Sequence, residues 1–319
     1  KTAYEIYQCD WSSDVCSSDL PMDLILLQVF NGISVGSILL LVALGLVLSF
    51  GLMGVINMAH GELIMAGAYS AYVIQSGAAR VGDGTPSWPS YLVSVIVAFL
   101  VAAGIGLALE ASLIRRLYRR PLDTLLATWG VGLVLQQLAR SIFGAPNVQV
   151  PSPGWLSGGV PVFGALVLSY KRLFIMALAV VALAGIWAYM QKTSAGRRIR
   201  AVMQDRDMAA CLGVATRTVD AGTFAIGSGL AGVAGAAIAL LGPVGPALGT
   251  YYIVDAFMVV IVGGAGQVVG ATLAALGIGG LNMAFELGST ASLGKVAVLI
   301  TVIAFLQWRP AGLIARRGR

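Results

Sequence analysis

The chain has 319 residues, of which 58% are hydrophobic and 11% charged, and its mean hydropathy is +0.88. A soluble domain carries about a quarter charged residues, so this composition excludes a soluble globular protein and predicts a polytopic membrane protein. The net charge of +6 does not indicate nucleic-acid binding, because the basic residues form short clusters between apolar runs. The positive-inside rule of membrane proteins accounts for such clusters.

The first 20 residues differ from the rest of the chain. The segment KTAYEIYQCDWSSDVCSSDL is polar, rich in Ser and Asp, and lacks the apolar core of a signal peptide. We interpret residues 1–20 as a non-native tail from adapter or assembly read-through, with Met22 as a natural start. A disordered extracytoplasmic tail is the alternative. The transmembrane domain is predicted over residues 21–319.

Nine apolar runs follow one another from Leu24 onward and predict an all-α membrane fold. They lie near residues 24–50, 60–79, 91–114, 122–142, 173–191, 221–242, 252–264, 268–286 and 295–308. A spanning helix needs roughly 20 residues, so the run 252–264 is too short to cross a bilayer alone. We therefore predict eight or nine transmembrane helices, some of them broken or re-entrant.

The distribution of Lys and Arg predicts the orientation. With Lys1 of the tail left aside, fourteen lie on the side of the polar segment 192–220 and five on the other side. Those five are Arg80, Arg140, Lys171, Arg172 and Lys295. The positive-inside rule therefore predicts that segment 192–220 and the C-terminus are cytoplasmic. The outer loop 144–170, with its four prolines and five glycines, is predicted to contain no regular helix.

The polar segment 192–220 predicts one short amphipathic helix, from Arg197 to Leu212, that ends before Gly213. Its apolar stripe consists of Ile199, Val202, Met203, Ala209, Ala210 and Leu212. Such a helix lies on the inner membrane surface or docks in a groove of a cytoplasmic partner. Cys211 is predicted to be a small buried residue.

Two apolar runs are interrupted by glycine and polar residues, at 50–69 and at 262–270, and such paired interruptions point to broken helices and an internal repeat. The polar side chains that are candidates for a translocation path are Asn57, His60, Glu62, Asp255 and Gln267. His60 and Glu62 suggest a proton relay. The predicted topology instead places both at the cytoplasmic turn between the first two spans, so a structural turn is favoured.

Several motifs for other chemistry are rejected on their context. GSGLAG at 227–232 matches the dinucleotide pattern but lies inside an apolar run without a preceding strand, so it is interpreted as helix packing. Gly294 and Lys295 lack the remaining residues of a P-loop, so ATP would have to bind another subunit. His60 is the only histidine, and no metal-ligand cluster or catalytic pair is present. We predict no catalytic activity and no bound cofactor or metal.

Three stretches resemble the permease subunits of branched-chain amino acid type (LivH-like) ABC importers. They are GLMGVINMAHGELIMAGAY at 51–69, GRRIRAVMQDRDMAACLGV at 196–214 and VDAFMVVIVGGAGQVVGA at 254–271. The resemblance runs from about Met22 to the C-terminus. Segments 122–148 and 152–159 look most like the urea permeases of the UrtB kind within this family.

The resemblance implies a subunit in a bacterial inner membrane that works with a second permease subunit, two cytoplasmic ATPases and a periplasmic binding protein. It implies urea as the substrate, with a branched-chain amino acid as the alternative. An ion-coupled secondary transporter is a competing class. The segment that resembles the coupling loop of importers implies ATPase contacts at Gln204, Asp205, Asp207, Ala209, Ala210 and Gly213. Ala209→Glu is accordingly expected to uncouple ATP hydrolysis from transport without loss of insertion.

Overall fold

The computed structural model describes residues 20–54, 57–81, 88–118, 120–151, 153–156, 158–163, 166–264, 266–286 and 290–314. Most of these residues are helical. The helices are α1 Leu20–Met53, α2 His60–Val81, α3 Trp88–Leu109, α4 Arg115–Leu117, α5 Pro121–Phe143, α6 Tyr170–Lys192, α7 Ser194–Gln204, α8 Arg206–Cys211, α9 Thr216–Ile238, α10 Leu248–Gly263, α11 Val268–Glu286 and α12 Ala291–Trp308. The predicted tail, apart from Leu20 at the start of α1, lies outside the described residues.

Each of the nine predicted apolar runs coincides with a long helix of the described chain, which confirms the all-α membrane fold. Among the residues that the structure describes, five helices are long and apolar enough to cross a bilayer. They are Leu26–Met53, Trp88–Leu117, Tyr170–Lys192, Thr216–Ile238 and Val268–Glu286. Helix α10, at 16 residues, belongs with the shorter apolar helices, as its sequence predicted.

Two local features were not predicted. Helix α3 continues into α4 through a π-helical turn at Glu110–Ile114. The irregular loop after α5 contains a 3₁₀ turn, Gly154–Leu156, and an antiparallel hairpin of β1 Gly159–Phe163 and β2 Leu166–Ser169. The hairpin strands, of five and four residues, are too short for a periodic pattern to reveal them.

Helices α1 and α9 form the centre of the bundle. In the most apolar part of each, 83% of α1 and 78% of α9 is buried inside the protein, against 17% of α6. The two helices cross where Gly45 faces Gly227, and a Cβ added at Gly227 would lie 2.6 Å from the Gly45 carbonyl oxygen. Close contact between backbones is how helices pack where lipid gives no hydrophobic drive. The packing interpretation of the segment 227–232 is therefore confirmed.

The ends of several helices meet at one end of the bundle, here called the α8 end. The Tyr118 hydroxyl, just after α4, lies 3.5 Å from the Leu52 carbonyl oxygen near the end of α1. The Leu313 amide donates to the Val262 carbonyl oxygen near the end of α10, at 2.7 Å. The methyl group of Met203 in α7 adjoins the glycines that end α1 and connect α10 to α11. The loops of the bundle's other end include the β-hairpin.

Candidate functional site

Helix α2 begins beside the middle of α1. The Nε2 atom of His60 lies 3.2 Å from the carbonyl oxygen of Val42. Val42 precedes Met53, the last residue of α1, by eleven positions, or about 16 Å at 1.5 Å per residue. Helix α2 therefore begins alongside α1, well before the position where α1 ends. The prediction that His60 and Glu62 lie at the cytoplasmic turn between the first two spans is wrong, because both are buried inside the bundle. Periodicity cannot show where a helix starts relative to its neighbours.

Hydrogen bonds to polar side chains fix the residues just before α2. Gly54, at the end of α1, has a positive φ of +62°. The Asn57 Oδ1 atom accepts a hydrogen bond from the Ala59 amide at 3.0 Å. The Met58 amide donates to Thr128 Oγ1 of α5 at 3.2 Å. Helix α5 thus stabilises the break, and Asn57 acts as a local cap.

The start of α2 also contacts the start of α10. A Cβ added at Gly61 would lie 2.6 Å from the carbonyl oxygen of Gly249. One residue further along each helix, Glu62 and Thr250 share a hydrogen-bonding partner on α5. Gln136 Nε2 lies 2.8 Å from Glu62 Oε1 and 2.9 Å from Thr250 Oγ1. Sequence reasoning missed Gln136 and Thr250, although a glutamine within an apolar run is a signal.

The hydrogen-bonding capacity of Glu62 is only partly used. Only 4% of the residue is exposed, and its Oε2 atom has no hydrogen-bond partner in the described part of the chain. Two turns further along α2, Tyr69 is 2% exposed, its hydroxyl has no partner there either, and its ring stacks on Phe143 at 4.3 Å. Buried polar atoms are nearly always hydrogen-bonded, so these two exceptions mark a place for a ligand or water.

Both side chains line one groove of about 350 Å³ between α2, α3 and α5. Its other lining residues are apolar apart from Ser70. They are Met65, Ala66, Val73, Ile74, Val97, Val101, Ile105, Leu135, Leu138, Ala139, Ile142 and Phe143. A groove of this size with a few polar atoms is typical of a small-molecule site. Glu62 and its surroundings are called the carboxylate groove below.

The remaining candidates for the translocation path have other partners. Asp255 of α10 forms an ion pair with Lys295 of α12, with 3.6 Å between Oδ2 and Nζ. Gln267, between α10 and α11, lines a separate cavity of about 280 Å³ with Arg200 and Met203 at the α8 end. The structure therefore groups Asn57, which adjoins the start of α2, with His60 and Glu62. It does not bring Asp255 or Gln267 to them.

The polar segment forms two helices instead of the predicted one. Asp205 interrupts it with extended backbone angles, φ −150° and ψ 112°. Its Oδ1 atom accepts from the Met208 amide at 2.9 Å and so caps α8. An Asp side chain favours such a cap over a helix interior, which explains the break. Thr193 caps α7 in the same way, accepting from the Gly196 amide at 3.0 Å.

The apolar stripe is divided between the protein core and the surface. Ile199, Val202 and Ala209 are each 3% exposed and pack in one cluster with residues that include Leu52 and Phe224. Because Ala209 is buried within its own chain, its side chain is not presented to a partner. The expected uncoupling by Ala209→Glu without structural cost is corrected accordingly.

The exposed residues of α8 and its C-terminal turn are different ones. Met208 is 59% exposed and Leu212 is 78% exposed. The other residues expected at an ATPase contact, Gln204, Asp205, Asp207, Ala210 and Gly213, are exposed. Cys211 is exposed as well, so the prediction that it is buried is wrong. Sequence reasoning included Leu212 in the stripe but overlooked Met208.

An ion pair fixes α8 to the bundle. Arg206 donates to both carboxylate oxygens of Asp220 in α9, to Oδ1 at 3.2 Å, and to the Tyr118 hydroxyl. Its guanidinium carbon lies 4.3 Å from the centre of the Tyr118 ring. The Asp220 side chain is only 5% exposed. Burial, together with the Asp220 charge, raises the pKa of Tyr118 to about 12, so its hydroxyl remains protonated at neutral pH.

A profile of the family described as "Branched-chain amino acid transport system / permease component" matches residues 28–306. The chain belongs to this permease family. The match spans nearly all of the described helices, including the carboxylate groove and α8. No solved structure matches the permease.

Similar proteins of known name are also permeases for branched-chain amino acids, as the family description indicates. The permease is 29% identical to the high-affinity branched-chain amino acid transport system permease protein LivH of Salmonella typhimurium, covering 91% of this chain and 95% of LivH. It is 29% identical to BraD of Pseudomonas aeruginosa over the same shares. It is 26% identical to a probable LivH of Methanocaldococcus jannaschii, covering 87% and 88%. The permease is thus a transport subunit of the branched-chain amino acid type, and nothing here supports the narrower resemblance to urea permeases.

Proposed function

We propose that the permease is the membrane subunit of an ATP-driven importer that carries a branched-chain amino acid into a bacterial cell. The observation that carries this proposal is the match to LivH and BraD, both named for branched-chain amino acid transport, over nine-tenths of the chain. Urea, expected from segments 122–148 and 152–159, is the alternative substrate. The apolar lining of the carboxylate groove favours the amino acid, because urea has no aliphatic part to bury.

The α8 end faces the cytoplasm in this proposal, and the C-terminus lies on the same side. The excess of Lys and Arg on the side of residues 192–220 supports this orientation. The permease then lies in the inner membrane, and its β-hairpin end faces a periplasmic protein that delivers the substrate. A second permease subunit completes the path.

ATP is bound by two partner subunits, because this sequence contains no P-loop. The contact surface consists of exposed residues on and around α8. Met208 and Leu212 provide its apolar part, with Gln204, Asp205, Asp207, Ala210 and Gly213 around them. An exposed apolar centre with a polar rim is the usual form of a protein interface. Buried Ala209 supports this surface from within.

Arg206 is the link through which movement of α8 reaches the transmembrane helices. It joins α8 to the first part of α9 through Asp220 and to the end of α4 through Tyr118. Helix α9 in turn contacts α1 at Gly227 and α2 at Gly235. ATP binding drives transport only if the partner contacts α8 differently in its two states, since coupling is a difference in contact free energy.

The translocation path passes the start of α2, where Asn57, His60 and Glu62 are buried, and we include Asp255 and Gln267 as candidates along it. An ion-coupled secondary transporter would use buried ionisable groups of the same kind, and the deep position of Glu62 is the one observation that favours it. Dependence of uptake on ATP in the presence of an ionophore separates the two mechanisms.

The experiment that tests the proposed function compares uptake of labelled leucine and labelled urea by cells with and without this gene. Loss of leucine uptake alone is expected. Loss of urea uptake alone would contradict the substrate assignment but keep the importer. Uptake that persists without ATP but collapses with the ion gradient would replace the importer by the secondary transporter.

A further inference from the structure

The carboxylate groove contains a buried carboxyl oxygen and a buried hydroxyl that have no hydrogen-bond partner in the described chain, above an apolar surface. We propose that it is a binding site for the transported amino acid, with the ammonium group at Glu62, the aliphatic side chain against α3 and α5, and the carboxylate towards Tyr69. This inference rests on the proposed function. It adds the place, the ligand orientation and the residues that recognise the substrate.

Glu62 provides the recognition of a cation. Its Oε1 atom accepts from Gln136 Nε2, which leaves Oε2 free and only 4% of the residue exposed. No Lys or Arg of the described chain forms an ion pair with it, although Arg140 lies further along α5. A buried carboxylate is costly unless it is paired, so a ligand ammonium group supplies what the protein does not.

The position of Glu62 supports this role. Gln136 joins it to Thr250, so three helices, α2, α5 and α10, meet at this carboxylate. The starts of α2 and α10 touch at Gly61 and Gly249, inside the bundle instead of at its surface. Interrupted helices that meet at mid-depth are where transporters bind their substrates. Relative movement of these helices would therefore change the contacts of a ligand bound at Glu62.

Tyr69 and the apolar walls complete the proposed binding site. Tyr69 lies seven residues beyond Glu62 on α2, or about 10 Å along the helix. The two side chains project from the same face of α2 into one groove, and a zwitterion, whose ammonium and carboxylate groups are attached to one carbon, fits between their ends. Between these ends the walls are almost entirely aliphatic, including Val97, Val101 and Leu135. A branched aliphatic side chain buries its surface there, whereas a charged side chain would be left unpaired.

A lipid chain or a helix of a second permease subunit would also fill an apolar groove. An apolar occupant offers no hydrogen-bond donor to the Glu62 Oε2 atom, whereas the ammonium group of an amino acid does, which is why the structure favours the amino acid. Phe143 holds the Tyr69 ring by stacking at 4.3 Å, so the hydroxyl position is fixed before a ligand arrives. A prearranged site loses less entropy on binding than a mobile one.

The test uses photo-leucine, a leucine analogue with a photoreactive diazirine in its side chain, and the complete importer in liposomes with its ATPases, second permease and binding protein. Illumination during ATP-driven uptake is expected to label groove residues such as Met65, Val101 and Leu135. Excess leucine should remove the label. Glu62→Gln is expected to lower both labelling and leucine uptake roughly tenfold, the loss of one charge-assisted contact. Glu62→Asp should retain part of the activity.

Two controls separate recognition from folding. Tyr69→Phe removes a hydroxyl that has no partner, so it should lower uptake severalfold while leaving the melting temperature unchanged or raised. Glu110→Gln removes another buried carboxylate, 5% exposed and outside the groove, and should leave the labelling of groove residues intact. If Glu62→Gln does not fold, Tyr69→Phe and Glu62→Asp decide the question.

The outcomes distinguish this site from the proposed function. Labelling outside the groove with normal leucine uptake would overturn the site and leave the importer standing. Groove labelling that persists in Glu62→Gln would overturn the role of the carboxylate. Absence of leucine uptake by the wild-type importer would overturn the proposed function itself, whatever the labelling pattern.

Discussion

The centre of the permease and its polar segment are held together in different ways. At the centre, α1, α2 and α9 touch through backbone atoms, because glycines such as Gly45, Gly227 and Gly235 leave no side chain between them. The polar segment, α7 and α8, is attached by side chains: a small apolar cluster and the ion pair of Arg206 with Asp220. Backbone contacts tolerate no added atom, whereas side-chain contacts can rearrange.

This difference has a mechanical consequence. Closely packed interiors transmit displacement instead of absorbing it. In the proposed mechanism, a partner that moves α8 through Arg206 also moves α9, which packs directly against α2 beside the carboxylate groove. The comparison predicts that substitutions at the centre destabilise the fold most, while substitutions in the polar segment affect either stability or function alone.

The largest effect is expected from a matched pair of glycine substitutions. A Cβ at Gly235 would overlap the Ile64 carbonyl oxygen of α2, so Gly235→Ala should destabilise the permease by about 3 kcal/mol, the upper range for overpacking. A Cβ at Gly185 in α6 meets nothing within 4 Å, so Gly185→Ala should stabilise by about 0.5–1 kcal/mol. Thermal unfolding in detergent measures both. Equal melting temperatures for the two variants would refute the proposed rigidity of the centre.

The second largest effects are expected at the two faces of α8, one buried and one exposed. Ala209→Glu places a charge in the apolar cluster beneath α8 and should cost about 2 kcal/mol of stability. Leu212→Glu, at a residue 78% exposed, should leave the melting temperature unchanged but reduce ATP-driven uptake by roughly tenfold, as loss of an apolar contact at an interface does. Melting and uptake are measured on the same preparations. Full uptake by Leu212→Glu would remove the exposed face from the ATPase contact.

A smaller effect is expected at the ion pair. Arg206→Ala leaves Asp220 buried without its main donor and should cost about 1–2 kcal/mol, less than a fully buried pair because Arg206 is partly exposed. The double variant with Asp220→Ala should be less destabilised than the sum of the single variants. A double-mutant cycle measures this difference. Additive effects would show that the two residues act independently and would break the proposed link from α8 to α9.

The smallest effect concerns pH. The pKa of Tyr118 is about 12 in the folded protein, whereas an unfolded chain ionises near its ordinary value of about 10. Between these values only the unfolded state loses the proton, so stability falls as pH rises from about 10 to about 12. Tyr118→Phe should show a shallower decline than wild type over this window. Identical pH profiles would mean that the Tyr118 hydroxyl is not held as described.

Much of the helical architecture was predictable because long apolar runs have few alternatives in a membrane. The nine runs coincide with helices, and the short length of α10 was evident from its 13-residue predicted run. The break at Asp205 was not recognised, because apolar residues continue on both sides of it. A capping aspartate can end one helix and start another without changing the periodicity.

The candidate site, too, was only partly predictable from the sequence. Asn57, His60 and Glu62 stood out because polar residues in apolar runs are rare, and the structure brings their backbone segment into the bundle. Gln136 and Thr250 were missed because each lies far along the chain from Glu62. Ala209 and Cys211 were placed on the wrong sides of α8, since periodicity gives the faces of a helix but not which face meets the core.

The sequence alone determined that this protein is an all-α membrane protein with a basic polar segment, because bilayer length and the cost of charge constrain composition directly. Only the tertiary structure decided that α2 starts beside the middle of α1 and that Glu62 meets α5 and α10. Those contacts depend on where glycines let two backbones approach, and this is a property of pairs of distant segments. No single stretch of sequence contains it.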